Sequence, residues 1–255
     1  MWIKRIGRFF GNLIFPPKCV GCREFHQKNI FDECELPLCE KCRVRWEYEK
    51  LSLCPDCGLE MSLCGCGSRL LQKLEIKEPI KLVSYSARKG SVGKSAVLYM
   101  KKKNDKRAVG YFSKQLSYAV NGRIKRSGFE NPLFAYVPRS KNGRVVYGFD
   151  QSKVLAKSLA DLCGGNTASL FERTGAKKPA QKELSFSARL KNAQNTYRLK
   201  KGAEEKLKGV DAVFVVDDVL TSGASLAGCV SALKRVYDGE IVCATLARTA
   251  KSRKK

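Results

Sequence analysis

The sequence predicts an α/β protein: a mainly parallel sheet with helices on both faces, preceded by a small zinc-ribbon-like unit. Three observations predict it. From Lys81 onward, short apolar runs alternate with amphipathic stretches, the pattern of strands joined by crossover helices. Val213-Phe214-Val215-Val216 is a buried-strand run that leads straight into Asp217-Asp218 and then into Thr221-Ser222-Gly223-Ala224-Ser225. Nine of the twelve cysteines lie between Cys19 and Cys66, most of them in short-spaced pairs.

The elements follow in chain order. Residues 1–18 read as an amphipathic helix, with Trp2, Ile6, Phe9, Phe10 and Leu13 on one face and Lys4, Arg5, Arg8 and Asn12 opposite. The stretch has no continuous apolar run and no small-residue cleavage site, so neither a secretory leader nor a membrane span is expected there. Docking on the chain's own body is preferred to membrane contact. Without a secretory pattern, twelve cysteines point away from disulfides and toward metal in a reducing cytoplasm.

Residues 19–70 form the cysteine-rich segment. Cys19-x-x-Cys22 and Cys39-x-x-Cys42 make one set, and Cys54-x-x-Cys57 with Cys64-x-Cys66 makes another. Four thiolates on short turns suit a tetrahedral zinc, and a site of four cysteines is closed and therefore structural. Such a site supplies roughly 10–16 kcal/mol of folding free energy in finger peptides. A segment this short and this poor in apolar residues needs it. The one-residue spacing of Cys64 and Cys66 is tight for a knuckle. Interleaved pairing of the knuckles stays open at this point, and so does a role for Cys34 or for His26, the single histidine. Cys163, Cys229 and Cys243 stand in apolar contexts and read as core.

Residues 80–249 carry the alternating pattern. Strands are expected at 82–85, 133–137, 168–171, 213–216 and 240–246, and helices at 95–100, 109–120, 151–162 and 226–237. Gly90-Ser91-Val92-Gly93-Lys94-Ser95 looks like a P-loop, but Arg88 stands where that motif needs its first glycine. Lys101, Lys102, Lys103, Lys106 and Arg107 read as a solvated helix end. Of Tyr111, Phe112, Tyr118, Phe129 and Tyr147, which lie among basic residues, most read as core. Residues 250–255 are a basic tail. Over the whole chain, 49 Lys and Arg face 24 Asp and Glu, a formal charge of +25, which favours polyanionic partners. Two filled tetrathiolate zinc sites would leave the protein four units less positive, still strongly basic.

The run from Val213 to Ser225 is the part with chemistry. A strand ends in two carboxylates, and a hydroxyl- and glycine-bearing bend opens a helix. Ligands of open α/β sheets bind at the carboxyl ends of strands. Amides at a helix N-terminus favour phosphate. A sugar phosphate joins the two features, its phosphate on the bend and its hydroxyls on the acids. The run resembles the signature of the type I phosphoribosyltransferases. That resemblance implies that Asp217 and Asp218 hold the ribose hydroxyls of phosphoribosyl pyrophosphate (PRPP). It implies that Thr221, Ser222, Gly223, Ala224 and Ser225 hold its 5-phosphate. Arg139, Ser140 and Lys141 stand where that family keeps its pyrophosphate loop, with Mg2+ accompanying PRPP. Asp217 and Asp218 would be the catalytic pair if the site turns over.

A second resemblance is narrower. Val137-Pro138-Arg139-Ser140-Lys141, Gly148-Phe149-Asp150-Gln151, then Arg173, Gln181, Leu184, Arg189, Asn192 and Tyr197 look like the ComF family, as does a cysteine-knuckle unit in front. The resemblance spans nearly the whole chain. It implies a cytoplasmic PRPP-binding protein of DNA uptake and natural transformation, acting on single-stranded DNA alongside competence and DNA-processing proteins. The same site would serve a salvage nucleobase phosphoribosyltransferase or a non-catalytic PRPP sensor, and no segment reads as a hood for an acceptor base. The chain departs from the family at Tyr147 and Asp150, where arginine and asparagine are usual, and at Pro179, where threonine is usual. Thr-Ser-Gly-Ala-Ser also replaces Thr-Thr-Gly-Ala-Thr in the phosphate loop, with the hydroxyls kept.

Overall fold

The computed structural model describes residues 17–25, 36–85, 90–174 and 186–249. The expected amphipathic helix at 1–18 (but for its last two residues), Cys34, His26, Gln181, Leu184 and the basic tail lie outside these residues. The described front end holds α1 (Glu40–Lys50) and α2 (Arg69–Lys73). The strands and helices behind it are β1 (Ile80–Tyr85), α3 (Val92–Lys102), α4 (Lys106–Ser127), β2 (Pro132–Tyr136), α5 (Lys141–Tyr147) and α6 (Gln151–Cys163). They continue through β3 (Asn166–Ala168), β4 (Phe171–Arg173), α7 (Phe186–Thr196), β5 (Tyr197–Leu199), β6 (Ala212–Leu220), α8 (Ala224–Leu233) and β7 (Glu240–Thr249).

Five strands form one sheet in the order β1-β7-β6-β2-β3, and every neighbouring pair is parallel. Strand alternation sorts the side chains into two layers. Phe134, Phe214, Val216, Val242 and Ala244 pack with α1, α3, α4 and α6 on one face. Leu133, Ala135, Val213, Val215 and Cys243 pack with α2, α7 and α8 on the other. The period-2 alternation thus puts helices on both faces, as the sequence predicts. Cys229 and Cys243 are core, and Cys163 is half-buried at its edge. Phe112 is core too, with Tyr111 and Phe129 packed against it and against Phe214, whereas Tyr118 is exposed. Among the described residues, no helix is long and apolar enough to cross a membrane.

Three of the differences from expectation bear on the site. The strand expected at 168–171 is split. Asn166–Ala168 closes the sheet edge beside β2, while Phe171–Arg173 pairs antiparallel with Tyr197–Leu199. Between them Leu170 turns into the second core layer, and its carbonyl accepts from Lys200 N at 2.8 Å. The signature strand runs on past Val216 to Leu220 because β7 continues alongside it, pairing Asp217 with Thr245 and Leu220 with Arg248. Helix α8 stops at Leu233, where the Val236 and Tyr237 amides fold back onto the Leu233 carbonyl.

The helix starts follow capping chemistry. Ser91, Asp105, Ser140 and Asp150 accept from first-turn amides of α3, α4, α5 and α6. Glu49, at the end of α1, adds a second cap to α3. Its Oε1 accepts from Val92 N and its Oε2 from Gly93 N, both at 2.7 Å. A carboxylate of the chain therefore sits where a P-loop would hold phosphate, at the positive end of the helix. This is the physical reason the P-loop look-alike is not one. Glu49→Ala is expected to lower stability by about 1–2 kcal/mol, the usual cost of losing a cap. Urea unfolding measures it, and Glu49→Gln, which keeps an acceptor, should cost less.

The front end is not a separate bead. Cys19, Val20, Leu38, Cys42 and Trp46 belong to the same buried cluster as Val83, Val92, Phe112 and Phe214. Trp46 is fully buried with its ring edge-on to Phe112 at 5.0 Å. Arg23 lies over the Tyr99 ring at 4.6 Å, and Lys50 Nζ donates to Gln115 Oε1 at 3.0 Å.

Candidate functional site

The acidic pair sits near the carboxyl end of β6, directly before the bend that opens α8. Two successive residues at the start of α6 hold it. Ser152 Oγ donates to Asp217 Oδ1 at 3.0 Å, and Gln151 Nε2 donates to Asp218 Oδ2. Asp217 Oδ1 also accepts from Asp218 N at 2.9 Å. Lys101 Nζ lies 3.1 Å from Asp218 Oδ2. Lys101 is therefore not part of a solvated helix end: α3 delivers it to the acids. Nothing in the lysine run distinguishes it, because only the packing of α3 turns this one inward. Of its neighbours, Arg107 folds onto Asp105 at 3.1 Å, while Lys102, Lys103 and Lys106 are exposed.

Asp218 is 6% exposed. Burial first, and then the Asp218 charge, push the Asp217 pKa up to about 8. Burial also raises Asp218, against the Lys101 cation that favours its ionised form. Two carboxyls enclosed side by side cannot both ionise cheaply. The pair therefore holds on to a proton until donors or cations offset its charge.

The bend has the geometry of a cradle. Thr221 and Ser222 are exposed, Gly223 is in the left-handed region at φ 76°, and Ala224 begins the helix. Among the described residues, the chain satisfies the Ala224 amide from the Ser222 hydroxyl at 3.4 Å. A β-carbon at Gly223 would lie 2.1 Å from Ser68 Oγ. Glycine is thus required there twice, for its φ and for the close approach of Ser68. Ser225 is hydrogen-bonded to the buried Tyr197 side chain, and Arg173 lies over the Tyr197 ring at 5.6 Å. Arg173 and Tyr197, from the β4–β5 pair, thereby flank the bend. Asn192 instead spends its carbonyl on Thr196 Oγ1 within α7.

Solved structures that resemble this chain include the following two. TT1426 from Thermus thermophilus is 16% identical and is matched over 52% of this chain and 83% of its own, with a TM-score of 0.29. A purine phosphoribosyltransferase from Pyrococcus horikoshii is 12% identical over 55% of this chain and 84% of its own, with a TM-score of 0.30. No family model and no curated protein matches the sequence.

The expected pyrophosphate segment has a structural job in this conformation. Ser140 caps α5, accepting from Gly143 N at 3.1 Å, and Lys141 opens that helix. Arg139 N donates to Asp150 Oδ2 at 2.8 Å. Its guanidinium donates to the Phe149 carbonyl at 3.3 Å and the Lys101 carbonyl at 3.1 Å, and it lies over the Tyr147 ring at 4.3 Å. Arg139 thus ties α3 to the start of α6, the two elements that hold Asp218. Tyr147 supplies the ring it rests on. Asp150 caps α6.

The cysteines gather into two separate groups. Cys19, Cys22, Cys39 and Cys42 form one, and Cys54, Cys57, Cys64 and Cys66 the other, the sulfurs of each within 4.8 Å of one another. The pairing is sequential, not interleaved. Each group can hold a zinc ion through four sulfurs. The donor set fits further out. Gly21 N and Cys39 N donate to Cys19 Sγ at 3.3 and 3.2 Å, and Cys66 N donates to Cys64 Sγ at 3.3 Å. Amide donors of this kind stabilise thiolates.

Proposed function

We propose that this protein binds PRPP, with Mg2+ accompanying the pyrophosphate, and that it acts on single-stranded DNA in the manner the ComF resemblance implies. One observation carries the PRPP reading: an adjacent pair of carboxyls on one strand, Asp218 buried and Asp217 half-buried, just ahead of a hydroxyl-lined bend at a helix N-terminus. The 5-phosphate would take the amides and hydroxyls from Thr221 to Ser225, aided by the positive end of α8. The ribose hydroxyls would donate to Asp217 and Asp218. To do so they replace Gln151 and Lys101, which satisfy Asp218 in the free protein. Lys101, once released from Asp218, would be free to pair with the incoming pyrophosphate. The formal charge of +25 supports a polyanionic partner.

Titration calorimetry with PRPP and Mg2+ tests the reading. The protein should bind, and Asp218→Asn, which removes charge but not shape, should weaken binding by about tenfold or more, since charged hydrogen bonds contribute ~1.5–3 kcal/mol. Absence of binding to the unsubstituted protein overturns it. Single-strand affinity should fall steeply with salt, with a logarithmic slope of about −0.7 per phosphate neutralised. A flat salt response would remove the DNA part alone.

A further inference from the structure

The two cysteine groups are built into the molecule differently. Cys19 and Cys42 of the first group lie within the main hydrophobic core. Among the described residues, the second group has only a core of its own, made of Cys54, Met61, Cys64 and the flanking Cys66. So small an apolar cluster cannot hold a segment in place. Two cations of the sheet reach it instead. Lys81 on β1 is 1% exposed, and its Nζ donates to the Cys64 carbonyl and, at 3.2 Å, to the Pro79 carbonyl. Arg248 on β7 donates from Nη1 to Cys54 Sγ at 3.4 Å and from Nη2 to Asp56. A metal held by four thiolates carries two net negative charges, and two cations stand against it.

The same group brackets the phosphate bend. Arg248 pairs in register with Leu220, the residue before Thr221. Ser68, two residues past Cys66, caps α2 by accepting from Leu71 N at 3.3 Å. Ser68 also lies against Gly223.

We propose that the second cysteine group, loaded with a divalent metal, is one wall of the phosphate cradle, and that Lys81 and Arg248 are the positioning residues that fasten it there. Metal occupancy then sets how well the Thr221–Ser225 bend is formed, and through it the affinity for a phosphorylated ligand. The ligand half of this inference rests on the PRPP reading; the effect on the bend does not.

The test uses the full zinc-loaded chain. Native mass spectrometry should count two zinc ions, and Cys57→Ser, at the one exposed ligand of the group, should leave one. Amide exchange across residues 221–226 should then quicken by about tenfold as the bend opens more often. PRPP affinity should fall by about tenfold. Arg248→Met keeps all eight cysteines of the two groups, and a chelator should draw its second zinc about 10- to 100-fold faster, as for other partners of metal ligands. If Cys57→Ser loses a zinc and exchange at the bend is unchanged, the inference is overturned. If Cys57→Ser does not fold, Arg248→Met decides: unaltered zinc release and unaltered exchange overturn it. A chain that binds no PRPP but shows the exchange effect defeats only the ligand reading.

Discussion

Asp217→Asn is expected to stabilise the free protein at alkaline pH and to flatten its stability across the neutral range. The Asp217 carboxyl is driven up to about 8, first by burial and then by the neighbouring Asp218. In the unfolded chain such a carboxyl titrates near ~3.9. Between those values the folded state keeps a proton that the unfolded state has released. The favourable contribution of this group is therefore fully present below pH ~4 and is lost as pH rises through about 8. Each pH unit of the gap is worth on the order of 1.4 kcal/mol, so the whole effect reaches several kcal/mol. Asparagine keeps an acceptor for Ser152 Oγ and for the Asp218 amide but carries no charge. Urea unfolding at pH 5, 7 and 9 should show the variant gaining on the unsubstituted protein as pH rises. A constant difference would contradict the argument. A carboxyl pair that weakens the fold in this way makes sense where a ligand supplies the missing donors.

Trp46→Ala carries the second large effect. The indole is fully buried, edge-on to Phe112, and shares its core with four strands of the sheet, β1, β2, β6 and β7. Removing a buried aromatic ring of this size costs about 3–5 kcal/mol. Since the cluster crosses from the cysteine-rich segment into the sheet, both parts should weaken together. Fluorescence and far-ultraviolet circular dichroism should therefore report one shifted transition in denaturant. Two separate transitions would show that the cores are independent.

Much of this architecture can be read from residue order, and the reasons differ by element. The strands at Val213 and Leu133 announce themselves because a strand buried on both faces is apolar throughout. The acidic pair and the bend are legible because their chemistry is contiguous in the chain. The sulfur groups are legible from spacing, although only the folded chain settles that each group draws on neighbouring knuckles. What is not legible is every role that depends on packing at a distance. Lys101 is one lysine in a run, and its partner is more than a hundred residues away. Lys81 has the look of a strand residue facing solvent, yet it is buried, with its pKa lowered by that burial. Ser169-Leu170 offers no proline or glycine to mark the break between β3 and β4. The segment at Arg139 is singled out by its sequence neighbours, but the use of Arg139 as a tie between α3 and α6 comes only from the Lys101 and Phe149 carbonyls.

The contact between Trp46 and Phe112 also bears on how the chain is made. On a ribosome, the tryptophan emerges several seconds ahead of its partner at ~5–20 residues per second. During that interval the inner face of α1 lacks the long helix α4 that covers it in the folded protein. The thiolates of the leading knuckles are available from the start, so an early-bound ion would give the nascent front end its first fixed shape while the sheet is still being synthesised.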